Sequence, residues 1–285
     1  MSNTAKTFRF GDNWRAFLQH SFDEQTLEAA KARTCELLQI QSLEGLTFLD
    51  IGCGSGLFSY VAFLLGASSI TSVDVDPACA ECCQHLRSVA GDPPNWRILQ
   101  GSILDDCFIG TLPRADVVYS WGVLHHTGDM WRAIRNAASL VEPGGSYAIA
   151  IYNRVEYGTF RGWRGSHRWL KVKQLYNRSG RPTKRLMELM LAAKSVLAML
   201  LQLRNPVAGL RAHKNNRGMN WWFDHVDWLG GLPYEFASAG EIFNFCHNEC
   251  GMQLERMHTT SFLGLHEFLF RLPKDVSSKR RLPVS

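Results

Sequence analysis

Short apolar runs alternate with amphipathic stretches along the first half of the chain. Thr47-Phe-Leu-Asp-Ile51, Ile70 to Val75, Arg97-Ile-Leu-Gln100, Ala115 to Ser120 and Ser146 to Tyr152 each predict a buried strand. Helical spacing lies around and between them. Trp14 to Ile40 places Trp14, Phe17, Leu18, Leu27, Ala30, Leu37 and Leu38 on one face. Leu57 to Leu65 predicts a helix ended by Gly66. Pro77 to Ala90 predicts another, with its proline in the first turn, and Met130 to Leu140 a third. Glu142-Pro-Gly-Gly145 predicts a turn. Strands and helices alternating at this pace imply βαβ units, hence a parallel sheet with helices on both faces.

The rhythm stops at Tyr152 and resumes with Ser238 to Cys250 as a helix, then Gln253 to His258 and Leu265 to Leu272 as strands. Residues 1–151 and 237–272 therefore read as one doubly wound α/β domain, and 152–236 as an insertion into it. Residues 273–285 read as a polar, disordered tail. Charge sharpens the division. Segment 152–236 holds 15 Lys and Arg against 5 Asp and Glu, or +10; the remainder holds 16 against 21, or −5. The insertion also has five of the nine tryptophans.

At 285 residues and 46% hydrophobic, the chain can bury a sizeable core, which excludes disorder as its main state. Eight cysteines are too sparse for a disulfide scaffold. Cys79-x-x-Cys82, with Cys83 and His85 nearby, has no second pair at metal-binding spacing, and Cys246 and Cys250 do not supply one, so no metal is expected. The first residues lack the apolar stretch of a secretory signal, and a cytoplasmic location is the expectation.

The chemistry concentrates at Leu49-Asp50-Ile51-Gly52-Cys53-Gly54-Ser55-Gly56, between the first strand and the first helix after it. Glycines there let a ligand approach the backbone, and the helix start offers free N–H groups. The next strand ends at Asp74, whose carboxylate suits a pair of ribose hydroxyls. A dinucleotide fingerprint is G-x-G-x-x-G, whereas Gly52, Gly54 and Gly56 give G-x-G-x-G behind Asp50. A carboxylate beside the turn opposes a pyrophosphate but suits a cation. The pattern favours S-adenosylmethionine, which has a sulfonium, an ammonium and no phosphate.

These segments resemble the class I S-adenosylmethionine-dependent methyltransferases. LDIGCGSG is similar to their first motif, SVDVDP to the acidic second, Gln100-Gly-Ser-Ile-Leu-Asp105 to the adenine segment, and ADVVYSWGVLHH to the fourth-strand motif. VEPGGSYAIAIYN resembles the turn into their fifth strand, and the closing helix and two strands their final hairpin. The resemblance covers about residues 45–151 and 237–272. It implies a Rossmann-like, mostly parallel seven-stranded sheet with an antiparallel last strand. It also implies that Gly52, Gly54 and Gly56 line the methionine moiety, Asp74 takes the ribose, Ser102 and Ile103 face the adenine, and Ser120 and Trp121 cover the cofactor. Asp50 orders the glycine loop or meets the ammonium.

His125 and His126 follow the fourth strand, where acceptors bind in doubly wound folds, and imidazole titrates near neutrality; they are the candidate bases. Packing beside the cofactor is the other role open to them. The Asn/Asp-Pro-Pro-Tyr/Phe signature of enzymes that methylate amide or base nitrogens is missing, and Ser120-Trp-Gly-Val stands there. The set is similar to the small-molecule branch that includes quinone O-methyltransferases, which implies a hydroxyl oxygen as acceptor; that branch often has Glu where His125 or His126 stands.

The insertion is expected to be a lid over the acceptor. Arg154, Arg161, Arg164, Arg168, Lys171 and Lys173 interleave with Tyr157, Phe160, Trp163 and Trp169, a mix suited to an anionic small molecule or to nucleic acid, or simply to a solvated basic face. Residues 184–204 are strongly apolar between basic ends. They can bury against the lid or a second subunit, or lie on a membrane surface. Tyr152, Asp224, His225, Asp227, Tyr234 and Glu235 are the candidate acceptor contacts. A small-molecule acceptor, anionic or lipid-linked, is favoured over two alternatives: a nucleic-acid methyltransferase and a non-catalytic cofactor-binding module.

Overall fold

The computed structural model describes residues 11, 14–15, 17–18, 22–156, 165–202, 205, 209 and 221–274, with backbone alone at 221, 223, 224 and 227. Its seven strands are β1 (Thr47–Ile51), β2 (Ser69–Asp74), β3 (Trp96–Gln100), β4 (Ala115–Trp121), β5 (Val141–Tyr152), β6 (Gln253–His258) and β7 (Leu265–Arg271). They form one sheet in the order β3-β2-β1-β4-β5-β7-β6. The five strands from β3 to β5 are parallel, and β7 runs antiparallel to both β5 and β6.

The described helices are α1 (Glu24–Leu38), α2 (Leu57–Leu64), α3 (Pro77–Val89), α4 (Asp106–Ile109), α5 (Met130–Ser139), α6 (Ser166–Arg178), α7 (Arg181–Leu201), α8 (Trp221–Gly230) and α9 (Ala239–Asn244). Each face of the sheet is sealed by its own core. Leu37, Leu38, Val61, Leu86 and Trp96 pack on the face carrying Phe48, Ile70 and Tyr119. Ala133, Ile134, Ile242 and Cys246 pack on the face carrying Leu49, Val118 and Ile149. Alternate residues of β1 serve opposite cores, as the period of a strand requires. That double burial explains why the strands read as continuous apolar runs.

Local signals account for the boundaries. Asp23 caps α1 by accepting from the Thr26 N–H at 2.9 Å, and Asp76 caps α3 by accepting from Ala78 at 2.9 Å. The capping box of Ser238 and Glu241 starts α9. Two boundaries depart from expectation. The strand predicted from Ser146 begins at Val141, because Val141 pairs with Ala115 and the register then shifts so that Val117 meets Ser146; Pro143-Gly-Gly145 is a bulge within β5 rather than a turn before it. The helix predicted over 238–250 is α-helical only to Asn244 and continues as a π-turn, Phe245–Glu249.

Helices α6, α7 and α8 lie between β5 and α9, with no strand among the described residues of that stretch. The Tyr176 hydroxyl donates to Glu188 at 2.7 Å, joining α6 to α7. Ser195 and His225 are 2.8 Å apart, joining α7 to α8. Cys79, Cys82 and Cys83 are buried thiols on α3.

Candidate functional site

The C-terminal ends of β1 and β2 bring the glycine turn and Asp74 together. Gly52, Gly54 and Gly56 hold φ values of +77°, +55° and +84°, in the left-handed region that a Cβ disfavours. Space is equally restrictive: a Cβ on Gly52 would lie 2.3 Å from Val123, and one on Gly56 2.7 Å from the Cα of Cys83. The third contact comes from the N-terminal segment, since the Trp14 indole would lie 2.9 Å from a Cβ on Gly54. Asp74 holds the turn from the other side. Its carboxylate accepts from the Gly54 N–H and the Asp76 N–H, both at 2.9 Å.

Asp50 lies beneath the turn, buried. It accepts from Ser59 Oγ at 2.6 Å; Ser59 and Ser72 hydroxyls are 2.6 Å apart, and the Trp96 indole N–H donates to Ser72 at 2.8 Å. Both hydroxyl protons can therefore point towards Asp50, in one chain from α2 through β2 to β3. Burial pushes the Asp50 carboxyl up to about 7, the Ser59 hydrogen bond opposes this, and the charge of Asp74 adds to it. Burial also raises Asp74, against the pull of the two backbone N–H groups. Neither carboxylate has an ion pair among the described residues. A buried and a half-buried acid without a cation, beside a turn free of side chains, fit a ligand that is cationic near the glycines.

The neighbouring strand ends are less exposed than expected. Ser102 Oγ accepts from the Leu104 N–H at 3.2 Å, and Ile103 belongs to the buried core with its carbonyl accepting from Asn136 at 2.8 Å. Ser120 is buried and donates to the Ile51 carbonyl at 2.9 Å, tying β4 to β1. The Trp121 indole donates to Glu267 at 3.0 Å. Glu267, buried on β7, also accepts from Arg33 at 2.7 and 2.5 Å.

At the neighbouring strand ends, β4 is followed by a 3-10 turn (Leu124–His126) beside the end of β5. The Tyr152 ring centroid is 3.9 Å from that of His125, 5.4 Å from His126, 5.3 Å from Trp228 and 5.0 Å from Tyr234. Lys173 of α6 is fully buried in this cluster. Its Nζ donates to the Trp228 carbonyl at 2.7 Å and sits 4.9 Å from the Tyr234 ring centre. His126 Nδ1 lies 2.5 Å from the Pro233 carbonyl. A carbonyl only accepts, so Nδ1 carries the proton and the lone pair of the neutral ring is on Nε2. Burial, reinforced by the Lys173 charge and opposed by Pro233, brings His126 down to about 3. Burial, the neighbouring His126 and Lys173 also lower His125. Both imidazoles are neutral near pH 7. The His125 Nδ1 accepts from the Tyr152 N–H at 3.3 Å, which puts the proton of the neutral ring on Nε2.

A family model described as a methyltransferase domain matches residues 49–147. The chain is 30% identical over 192 residues to the ubiquinone biosynthesis O-methyltransferase of Methylobacterium nodulans, covering 63% of this chain and 72% of that one. It belongs to the class I S-adenosylmethionine-dependent methyltransferases. A second relative of the same description, from a Methylobacterium species, is 32% identical over 144 residues. That match covers 46% of this methyltransferase and 55% of the relative, so the chain spans about half of the relative's length. Solved structures show the same fold. An O-methyltransferase family protein from Burkholderia thailandensis superposes with a TM-score of 0.55 at 13% identity, covering 94% of this chain and 63% of that one. A methyltransferase from Methanococcus maripaludis gives 0.51 at 17%, covering 98% and 99%.

S-adenosylmethionine is therefore the cofactor. Not every residue proposed from the sequence gathers at one place. Tyr152, Tyr234, His125 and His126 meet at the strand ends. Glu235 faces away: its carboxylate accepts from the Gly128 and Met130 N–H groups at the start of α5. His225 is paired with Ser195 between α7 and α8. The side chains of Asp224 and Asp227 lie outside the described residues, as do 157–164 and most of the predicted tail. The sequence names Lys173 only within the basic stretch of the insertion, not beside the histidines, and it does not single out Glu267 at all. Lys173 shares a helical face with Trp169 and Tyr176, at spacings of four and three, and that pattern marks it as a buried lysine. Nothing comparable marks Glu267, because its partners Arg33 and Trp121 are distant in sequence.

Proposed function

We propose that this methyltransferase methylates a hydroxyl oxygen of a small-molecule acceptor, anionic or lipid-linked, with His126 receiving the hydroxyl proton. The decisive observation is the His126 tautomer. The Pro233 carbonyl orients the ring and leaves Nε2 as the basic atom, at the end of β4 beside Tyr152. Bound S-adenosylmethionine supplies a methyl carbon activated by the sulfonium. The protein's part is to align the acceptor and manage one proton. Tyr152 and Tyr234 supply apolar walls for an aromatic or prenylated acceptor. The buried positive charge of Lys173 stabilises an oxygen that becomes negative as its proton leaves. The same charge and the burial of the ring hold His126 neutral in the free site, so its proton affinity rises to that of a base only as negative charge develops on the acceptor oxygen beside it. Segment 152–236 acts as the lid, and its excess of Lys and Arg favours an anionic acceptor. Relatives described as ubiquinone biosynthesis O-methyltransferases agree with oxygen as the target atom.

Methyl-labelled S-adenosylmethionine incubated with a metabolite extract tests this, with products read by mass spectrometry. Wild-type protein should yield a product one methyl heavier than its precursor, methylated on oxygen. His126→Asn should lower its rate by roughly 10²–10⁴-fold while cofactor affinity stays within about twofold, as expected of a group that touches only the acceptor. Near-normal turnover in the variant would remove His126 from the chemistry. A product methylated on nitrogen or carbon would overturn the choice of oxygen.

A further inference from the structure

Helix α7 carries a stripe of large apolar residues on its outer face. Glu188 and Ser195 turn inward instead: Glu188 accepts from Tyr176 of α6 and Ser195 pairs with His225 of α8. Six large apolar residues face water. Leu186 is 57% exposed, Met190 63%, Leu197 56% and Leu201 77%, with Leu189 and Leu200 also exposed. At 3.6 residues per turn these six fall within an arc of about 120°, along roughly 22 Å of helix. Ordinary surface leucines are scattered singly, whereas a continuous stripe on one helix marks a surface that meets something apolar.

We infer that this face of α7 docks on the surface of a bilayer bearing anionic headgroups. Charge argues for that occupant. Lys194 on α7 and Arg181 at its start are exposed, and α6 exposes Leu175 between Lys171 and Arg178, at helical spacings of four and three. Segment 152–236 as a whole is +10. A second copy of the same surface would set these exposed cations against their own equivalents, whereas anionic headgroups neutralise them. The helix lies on the membrane rather than crossing it: no described helix is long and apolar enough to span. Apolar side chains entering the acyl boundary and basic side chains at headgroup level form a two-part anchor that neither part supplies alone.

Sedimentation of the full chain with vesicles tests this, in 3:1 phosphatidylcholine to phosphatidylglycerol and in phosphatidylcholine alone. The protein should bind the anionic vesicles at low salt, with affinity reduced at least tenfold by 0.5 M salt or by omitting phosphatidylglycerol. Leu186→Glu, Met190→Glu and Leu197→Glu combined should reduce binding at least tenfold, since each withdrawn apolar side chain is worth up to roughly that factor. Lys171→Glu with Lys194→Glu is the charge counterpart and should act in the same direction. Unchanged S-adenosylmethionine affinity shows that each variant is folded. The inference is overturned if wild-type protein ignores anionic vesicles, or if the triple variant binds as well as wild type. It is also overturned if light scattering shows a dimer in solution that the triple variant converts to monomer. Vesicle binding is read without turnover, so its outcome is separate from that of the methyl-transfer assay.

Discussion

Asp50→Asn separates the cost of a buried acid from its use. The Asp50 carboxyl titrates near 7 in the folded apo chain, against an ordinary value of 3.8. The folded state therefore holds its proton more tightly than the unfolded state. The resulting stability is complete below pH 3.8 and is lost progressively as pH rises to about 7. That interval corresponds to about 4 kcal/mol, as an upper bound before the site relaxes. About 3 kcal/mol of it falls between pH 5 and pH 8. Asparagine keeps an oxygen to accept from Ser59 and does not ionise. The apo variant should thus gain stability over the wild type by up to about 3 kcal/mol between pH 5 and pH 8, an increase of several degrees in relative Tm. Cofactor binding should move the opposite way. If the sulfonium and ammonium need the ionised acid, wild-type affinity should fall up to about tenfold per pH unit below 7, and the variant should bind weakly at every pH. Thermal denaturation from pH 5 to 8, with and without S-adenosylmethionine, reads both effects. A variant whose stability difference from wild type is independent of pH would refute the reasoning.

Two further substitutions probe how the site is supported. Gly56→Ala should cost about 2–4 kcal/mol, because φ is +84° and the new Cβ meets the Cys83 backbone at 2.7 Å; Gly45→Ala, at φ +76° with nothing within 4 Å, should cost only about 1–2 kcal/mol. Equal losses in chemical denaturation would show that contact with α3 is unimportant. Glu267→Gln should destabilise by about 1–3 kcal/mol, moderated because Arg33 is 42% exposed. A double-mutant cycle with Trp121→Phe should give a coupling of about 0.5–2 kcal/mol through the shared hydrogen bond, and strict additivity would show that Glu267 does not hold the indole.

The glycine turn was legible because it is local. Strand, glycines, helix and the acid of the next strand lie within 30 residues, and their chemistry depends on backbone conformation at fixed spacing. The parallel, doubly wound sheet followed as well, since strands alternating with helices imply βαβ units. The aromatic cluster around Tyr152 was only partly legible. Tyr152 and Tyr234 do meet, but Glu235, their neighbour in sequence, turns to cap α5. One residue along a chain reverses the direction of a side chain, and periodicity is undefined outside regular elements.

What the sequence alone determined is therefore the doubly wound sheet, the glycine turn between β1 and α2, and the net positive charge of residues 152–236. The apolar content of residues 184–204 was equally plain, but not which way it faced. Only the tertiary structure decided that Glu188 and Ser195 of α7 turn towards α6 and α8, leaving Leu186, Leu197 and Leu201 to water. It likewise decided that Lys173 is buried beside the histidines and that Pro233 sets the His126 tautomer. The physical reason is common to these cases. Burial, solvent exposure and proton affinity belong to contacts between segments far apart in the chain, and such contacts exist only once the chain has folded.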